Sequence, residues 1–219
     1  MQIGVVSDIH GNKVALDAVL DDMPAVDTVV CAGDVVGYNP WHGACVDAMR
    51  ERSVPTVMGN HDRAVAGETT FGFNSMAGAA VGHACETLTD AQQAWLADLP
   101  DRRRLFDGRV SVVHGHPNDP DRYTYPRDFD ARLLDGADVL VLGHTHVQAH
   151  EEFEEGIVMN PGSVGQPRDG DPRAAYAVLD LETPAVSEHR VEYNIGRVQQ
   201  AVDDAGLPAG IGDRLAEGQ

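Results

Sequence analysis

Five times in 219 residues a short apolar run ends in a turn loaded with side chains that ligate metals or move protons. Residues 3–7 lead into Asp8-Ile9-His10, and 27–32 into Gly33-Asp34. Residues 54–57 lead into Gly59-Asn60-His61-Asp62, 110–113 into His114-Gly115-His116, and 139–142 into Gly143-His144-Thr145-His146. Four of the five turns hold a histidine and three hold an acid, so chance clustering is an inadequate account. Few folds accommodate this pattern. In an open α/β sheet the carboxyl ends of the strands face one crevice, and turns that follow successive strands converge there.

The stretches between the turns agree. Asn12 is placed to cap a helix with Leu16, Val19, Leu20 and Met23 on one face, stopped by Pro24. Asn39-Pro40 opens a second helix, with the proline expected at the first helical position and Trp41, Cys45, Ala48 and Met49 facing inward. Strand, helix, strand, helix, strand predicts parallel pairing with right-handed crossovers. Residues 74–88, rich in Ala and Gly, suit a closely packed helix, and Thr89 with Gln92 forms a capping box for the next, closed by Pro100. A short helix is expected over 127–134, strands over 157–160, 174–180 and 186–193, and a short helix with a loose end over the last fifteen or so residues. No repeat or linker interrupts the chain, which predicts one α/β domain over 1–219.

Composition removes other classes. No apolar run approaches the 18 or so residues of a membrane helix. Met1 leads directly into a strand pattern without a basic leader, so a cytoplasmic location is expected. Cys31, Cys45 and Cys85 are odd in number and widely spaced, which reads as three buried, reduced thiols in a reducing cytoplasm and not as a disulfide framework or zinc knuckle. Thirty-five acids against sixteen bases give a formal net charge of −19, and Lys13 is the only lysine. The acids are dispersed along the chain, the pattern of a surface adapted to a high-salt cytoplasm, where screening relieves self-repulsion. A duplex nucleic-acid partner is disfavoured, because phosphate-backbone affinity needs a basic stripe.

Spacing within the turns sharpens the chemistry. Asp8 and His10, like His144 and His146, are two residues apart, and in extended backbone such pairs project to one side. Carboxylates, imidazoles and one amide suit first-row divalent ions such as Mn, Fe, Zn, Ni or Co, and suit neither calcium nor a thiolate site.

In this order the five blocks resemble the calcineurin-like metallophosphoesterases, over residues 3 to about 180. The compact length and the run Asn160-Pro161-Gly162-Ser163-Val164-Gly165-Gln166-Pro167-Arg168 are similar to the small bacterial and archaeal phosphodiesterase branch. The resemblance implies an α/β fold of two β-sheets packed face to face with flanking helices, a four-layer α/β/β/α arrangement. It also implies two divalent ions, manganese first among them: Asp8, His10, Asp34 and His146 around one, and Asp34, Asn60, His114 and His144 around the other. Asp34 would bridge, and a water between the ions would attack phosphorus in line. His61 would then be no ligand, serving to protonate the leaving oxygen or to steady the transferring group. Asp62 would orient its turn or that imidazole. Arg168, His116 and Tyr38 are candidate substrate contacts, with a salt bridge the alternative for Arg168 and a surface position for His116; Asn39 is a further candidate lining residue. The implied substrates are small or nucleotide phosphodiesters, with phosphomonoesters, phosphoproteins or dinucleoside polyphosphates as alternatives. A non-catalytic scaffold should show eroded ligands, and every one is present. Substrate choice is expected from loops at 36–43, 63–75, 116–127 and 162–172.

Overall fold

The computed structural model describes residues 1–67 and 72–219. Two mixed sheets form its centre. In the first, β1 (Gln2–Val6) lies between β2 (Thr28–Cys31), which it pairs in parallel, and β8 (Ala174–Asp180), which it pairs antiparallel, and β9 (Ala185–Val191) closes the far edge. The second sheet runs β3 (Arg102–Leu105), β4 (Val110–Val113), β5 (Val139–Val141), β7 (Gly156–Asn160), β6 (Ala149–Phe153). Its three inner strands are parallel and both edge strands antiparallel.

The apolar strands follow from burial on both faces. Ile3 and Val5 of β1 point between the sheets, where Val30, Ala177 and Leu179 meet Val110, Val112, Val139, Val141, Ile157 and Met159. Val6 points the other way, toward Leu16 and Val19 of α1 (Lys13–Asp22) and Cys45, Val46 and Met49 of α2 (His42–Glu51). The same outer face carries α3 (Asn60–Ala66), α4 (Ser75–Thr87) and α5 (Asp90–Ala97). The outer face of the second sheet, Val113, Leu140 and Val158, is covered by Phe129, which follows the single-turn 3-10 helix Pro126–Asp128, and by Leu134 of a second, Ala131–Leu134. The fourth layer is therefore thin.

Two local expectations hold at their atoms. Asn12 accepts from the Ala15 amide at 3.1 Å, and Thr89 and Gln92 cap each other's amides. Others need correction. Residues 54–57 make no strand: Pro55 has no N–H to offer a ladder, and contact with β2 is a single bridge of Thr56 to Cys31. The second helix starts at His42, not at Pro40, because Asn39 and Trp41 first donate to the carbonyls of His10 and Gly11. Cys85 is half-buried, whereas Cys31 and Cys45 are buried. The C-terminal end is docked: α6 (Ile195–Asp204) and α7 (Gly210–Leu215) bury Val198, Val202, Ile211 and Leu215 against Ala77, Ala80 and Tyr38, and the Gly218 carbonyl accepts from Gly170. Among the described residues no helix is long and apolar enough to cross a membrane.

Candidate metal centre

The turns after β1, β2, β4 and β5 and the start of α3 meet at one end of the two sheets. Their backbone is unusual. Asp8, His10, Asp34, Tyr38, His144 and His146 all have φ between 47 and 66°, so six of the ten non-glycine left-handed residues among those described belong to this cluster. Each such torsion costs on the order of 1–3 kcal/mol and persists only where its surroundings enforce it. Asp8, His10 and His146 do come together and His144 joins Asp34 and His114, but through left-handed turns and not through the extended backbone expected.

Asp62 enforces much of this shape. Its Oδ2 accepts from the amides of Asp34 (2.8 Å) and Gly59 (3.0 Å), and its Oδ1 from those of Val35 (2.9 Å) and Val36 (3.2 Å). Of the two roles considered for it, the structure shows the first: it ties the Gly33-Asp34 turn to its own. Burial, then the neighbouring Asp34 charge, push its carboxyl up to about 7 against the pull of those amides. Gly59 is required beside it, because a Cβ there would stand 2.0 Å from Asp34 Oδ1.

Among the described residues, three groups of side chains each bring their ligating atoms within 4.8 Å of one another: Asp8, His10 and His146; His10, Asp34 and His61; Asp34, His114 and His144. Asp8 Oδ1 is 3.2 Å from His146 Nε2. Asp34 Oδ2 is 3.6 Å from His10 Nε2 and 3.3 Å from His114 Nε2. Asn60 Oδ1 sits 3.2 Å from His114 Nε2, which joins the amide to the last group.

Backbone carbonyls set the tautomers. Nδ1 of His10, His114 and His146 faces the carbonyls of Val36 (3.1 Å), Ala32 (2.8 Å) and Gln166 (2.6 Å). A carbonyl only accepts, so Nδ1 carries the proton and Nε2 presents its lone pair inward. His144 is reversed: its Nε2 meets the Asp121 carbonyl at 3.2 Å, which leaves Nδ1 as its donor atom.

The donor set fits divalent ions. Asp8 Oδ1 is buried with no hydrogen-bond partner, as expected of an atom awaiting a cation. Burial opposes charge on Asp8 and Asp34, yet the surrounding imidazoles hold both carboxyls well below the usual range. His114 shows the converse: burial disfavours its charge, but Asp34 and Asp8 push it up to about 10. These acids call for positive charge in the cavity. Burial lowers His10, and lowers His144 to about 4, leaving neutral imidazoles for ligation.

His61 lies edge-on to His10, with ring centroids 4.7 Å apart, and its Nδ1 is buried without a partner. Burial lowers it to about 4. Tyr38 and Arg168 stand at the rim. Arg168 Nη2 donates to the Tyr38 hydroxyl (3.1 Å) and to Gln166 Oε1 (2.7 Å), and among the described residues it has no carboxylate within salt-bridge distance. Asn39 is buried behind the site, donating to the His10 carbonyl. His116 is not brought in: its Nδ1 accepts from the Asn118 amide, and it lines a separate surface hollow with Arg122 and Arg127.

The wall beside this centre comes from two of the loops expected to set substrate choice, 63–75 and 116–127, although the sequence singled out none of its residues. A cavity of about 410 Å³ opens from His61, Asn60 and His144 onto Phe73, Asn74 and Tyr123. The alternation Tyr123-Thr124-Tyr125 directly after a ligand turn was the available signal. Residues 68–71 of the expected 63–75 loop lie outside the described residues.

A family model for the calcineurin-like phosphoesterase superfamily domain matches residues 1–184. Phosphodiesterase YfcE of Escherichia coli K12 is 29% identical over 85% of this chain and 91% of its own. The uncharacterized protein MJ0912 of Methanocaldococcus jannaschii is 30% identical over 99% of this chain and 98% of its own. The crystal structure of a metallophosphoesterase from Sphaerobacter thermophilus superposes with a TM-score of 0.85 at 36% identity, covering 100% of this chain and 99% of that one. With the two sheets and the histidine–aspartate cluster at their common end, these likenesses place the chain in the calcineurin-like phosphoesterase superfamily, as a metal-dependent phosphoesterase.

Proposed function

We infer that the chain, acting as a single domain over 1–219, hydrolyses small or nucleotide phosphodiesters at a dinuclear centre in a high-salt cytoplasm. One observation carries the dinuclear reading. Asp34 Oδ2 faces both His10 and His114, at 3.6 and 3.3 Å, so a single carboxylate borders both ligand groups. Carboxylates can join ions roughly 3.5–4 Å apart. Asp8, His10, Asp34 and His146 would hold one ion, and Asp34, Asn60, His114 and His144 the other, with manganese the first candidate.

When bound, such ions supply Lewis acidity, polarising phosphoryl oxygens and making water a stronger nucleophile near neutral pH. The protein's own residues do the rest. His10, His114 and His146 aim fixed Nε2 atoms inward, and Asp62 fixes Asp34 relative to Asn60. His61 is placed to donate an N–H to an oxygen of the phosphoryl group or its leaving alcohol. Arg168, with no carboxylate partner among the described residues, offers a cation at the rim beside the Tyr38 hydroxyl.

The test is a hydrolysis screen of mono- and diesters with Mn, Fe, Zn, Ni and Co in molar salt, alongside elemental analysis. Diester hydrolysis with two ions per chain is expected, and Asp34→Asn should lose both metal and turnover. An Asp34→Asn protein with full metal content and full activity refutes the bridging assignment.

A further inference from the structure

The four histidines of the two outer ligand groups are not held alike. His10, His114 and His146 lean on the carbonyls of Val36, Ala32 and Gln166, all three buried residues. His144 leans on the carbonyl of Asp121, at 3.2 Å, and Asp121 lies in an exposed loop. Chain at the surface opens more readily than chain in the core, so this fourth support needs an anchor of its own.

Part of that anchoring is local. His116 and Asp119 exchange backbone hydrogen bonds at 3.1 and 3.0 Å, and the Asp121 amide donates to Asp119 Oδ1 at 3.2 Å. Gly115 lies so close beneath that a Cβ would stand 2.3 Å from the Pro120 carbonyl oxygen. These contacts tie the loop to itself and to the turn after β4. The side chain of Asp121 is held instead from α3. Arg63 Nη1 donates to Asp121 Oδ1 at 2.9 Å, and Arg63 Nη2 donates to Asp101 Oδ1 at 2.7 Å.

The place of Arg63 in the chain gives this contact its meaning. Three residues before it stands Asn60, whose amide oxygen belongs with the Asp34, His114 and His144 group. One turn of helix thus presents Asn60 to that group and, through Arg63, grips the loop that orients His144 in the same group. A guanidinium suits the task, because its planar fork reaches two carboxylates at once and Asp101 fixes the direction in which it points. Global stability is a poor account of the pair. The Arg63 and Asp121 side chains are 36 and 67% exposed, and ion pairs so placed add little to folding. Such a pair can still decide where one carbonyl sits.

We propose that Arg63 is a positioning residue for the second ligand group, acting through Asp121 to hold the carbonyl that keeps the proton of His144 on Nε2 and leaves Nδ1 free to ligate. The assignment rests on the two-ion reading above and deepens it, because one partly exposed arginine then controls the second ion and not the first.

Two readouts test it on the full chain. In the metal-free protein, imidazole nitrogen chemical shifts distinguish the two tautomers. The parent should carry the His144 proton on Nε2, and Arg63→Met and Asp121→Ala should each move His144 toward a mixture while the other histidines stay as they are. In calorimetric titrations with Mn²⁺ the parent should bind two ions. Either substitution should weaken the second about tenfold, the low end of the range for a lost outer partner of a ligating histidine, and leave the first unchanged. The double variant should weaken it no further, since both substitutions break the same contact. A parent-like tautomer and a parent-like second ion in both variants overturn the proposal. So does an equal loss of both ions, which marks a general structural defect. A parent that binds a single ion defeats the two-ion reading instead, and the tautomer of His144 then decides the role of Arg63 by itself.

Discussion

His61 is the side chain whose proposed role rests most directly on its immediate surroundings. It follows Asn60 directly, shares a ligating group with His10 and Asp34, and yet has no carbonyl behind its Nδ1 to fix a donor atom inward. His10, His114, His144 and His146 each have such a partner. An imidazole without one is better suited to hydrogen-bond an incoming group than to hold an ion. His61→Ala should therefore keep the metal content of the parent while lowering kcat by about 10²–10⁴-fold, the usual span for a proton donor. Elemental analysis decides the matter: a loss of one ion per chain would make His61 a ligand. The candidate ligands were legible because Asp, His and Asn, each common in turns, recur after five successive apolar runs. The role of Asp62 was not legible, since its four amide partners include three from a turn about 27 residues away in sequence, Asp34 to Val36.

At the scale of elements, helix α2 touches the site through His42. The imidazole is buried, its Nδ1 accepts from the Gly37 amide at 3.3 Å, and its Nε2 meets His83 Nδ1 of α4 at 3.2 Å. Gly37 in turn has φ +103°, and a Cβ there would stand 2.4 Å from His61 Nδ1, so His42 steadies a loop pressed against the site. Burial, followed by the charges His83 and His61 would carry, lowers His42 to about 3. The unfolded chain takes up its proton near 6.5 and the folded chain does not. This contribution to stability is thus complete above pH 6.5 and is lost as pH falls toward 3, with a slope of up to about 1.4 kcal/mol per pH unit. Urea unfolding across that window should show a slope to which the buried His61 and His144 add with the same sign, and His42→Gln should reduce it by up to about 1.4 kcal/mol per pH unit. Central strands such as β4 and β5 were legible because both faces are buried and the run is wholly apolar. The edge strands of the second sheet were not. Arg102-Arg103-Arg104 in β3 and His150-Glu151-Glu152 in β6 carry no apolar run to mark a strand, yet charged side chains are what a sheet edge carries to discourage pairing with other chains. Nor was α6 read, although Val198 and Val202 stand four apart on its buried face.

For the whole molecule, a net charge of −19 on 219 residues makes self-repulsion a global term. At 1 M salt the screening length falls to about 3 Å, which removes most repulsion between exposed carboxylates. Melting temperature and activity should both rise as salt is raised toward molar levels, and a flat response in a thermal scan would count against a high-salt origin. How the two sheets face each other was beyond periodicity, because alternation along a strand says which face is buried and not against what. Their stacking also gives the ligand groups a mechanical meaning. Asp8, His10 and Asp34 hang from the first sheet, whereas His114, His144 and His146 hang from the second. A cation seated in either outer group is thus a rivet through both layers, and pulling it out frees them to slide. Dialysis against a chelator should lower the melting temperature, by the equivalent of about 2.7 kcal/mol if the ion was present at a hundred times its dissociation constant. Metal supply would then govern how long the protein survives in its cell as well as how fast it turns over.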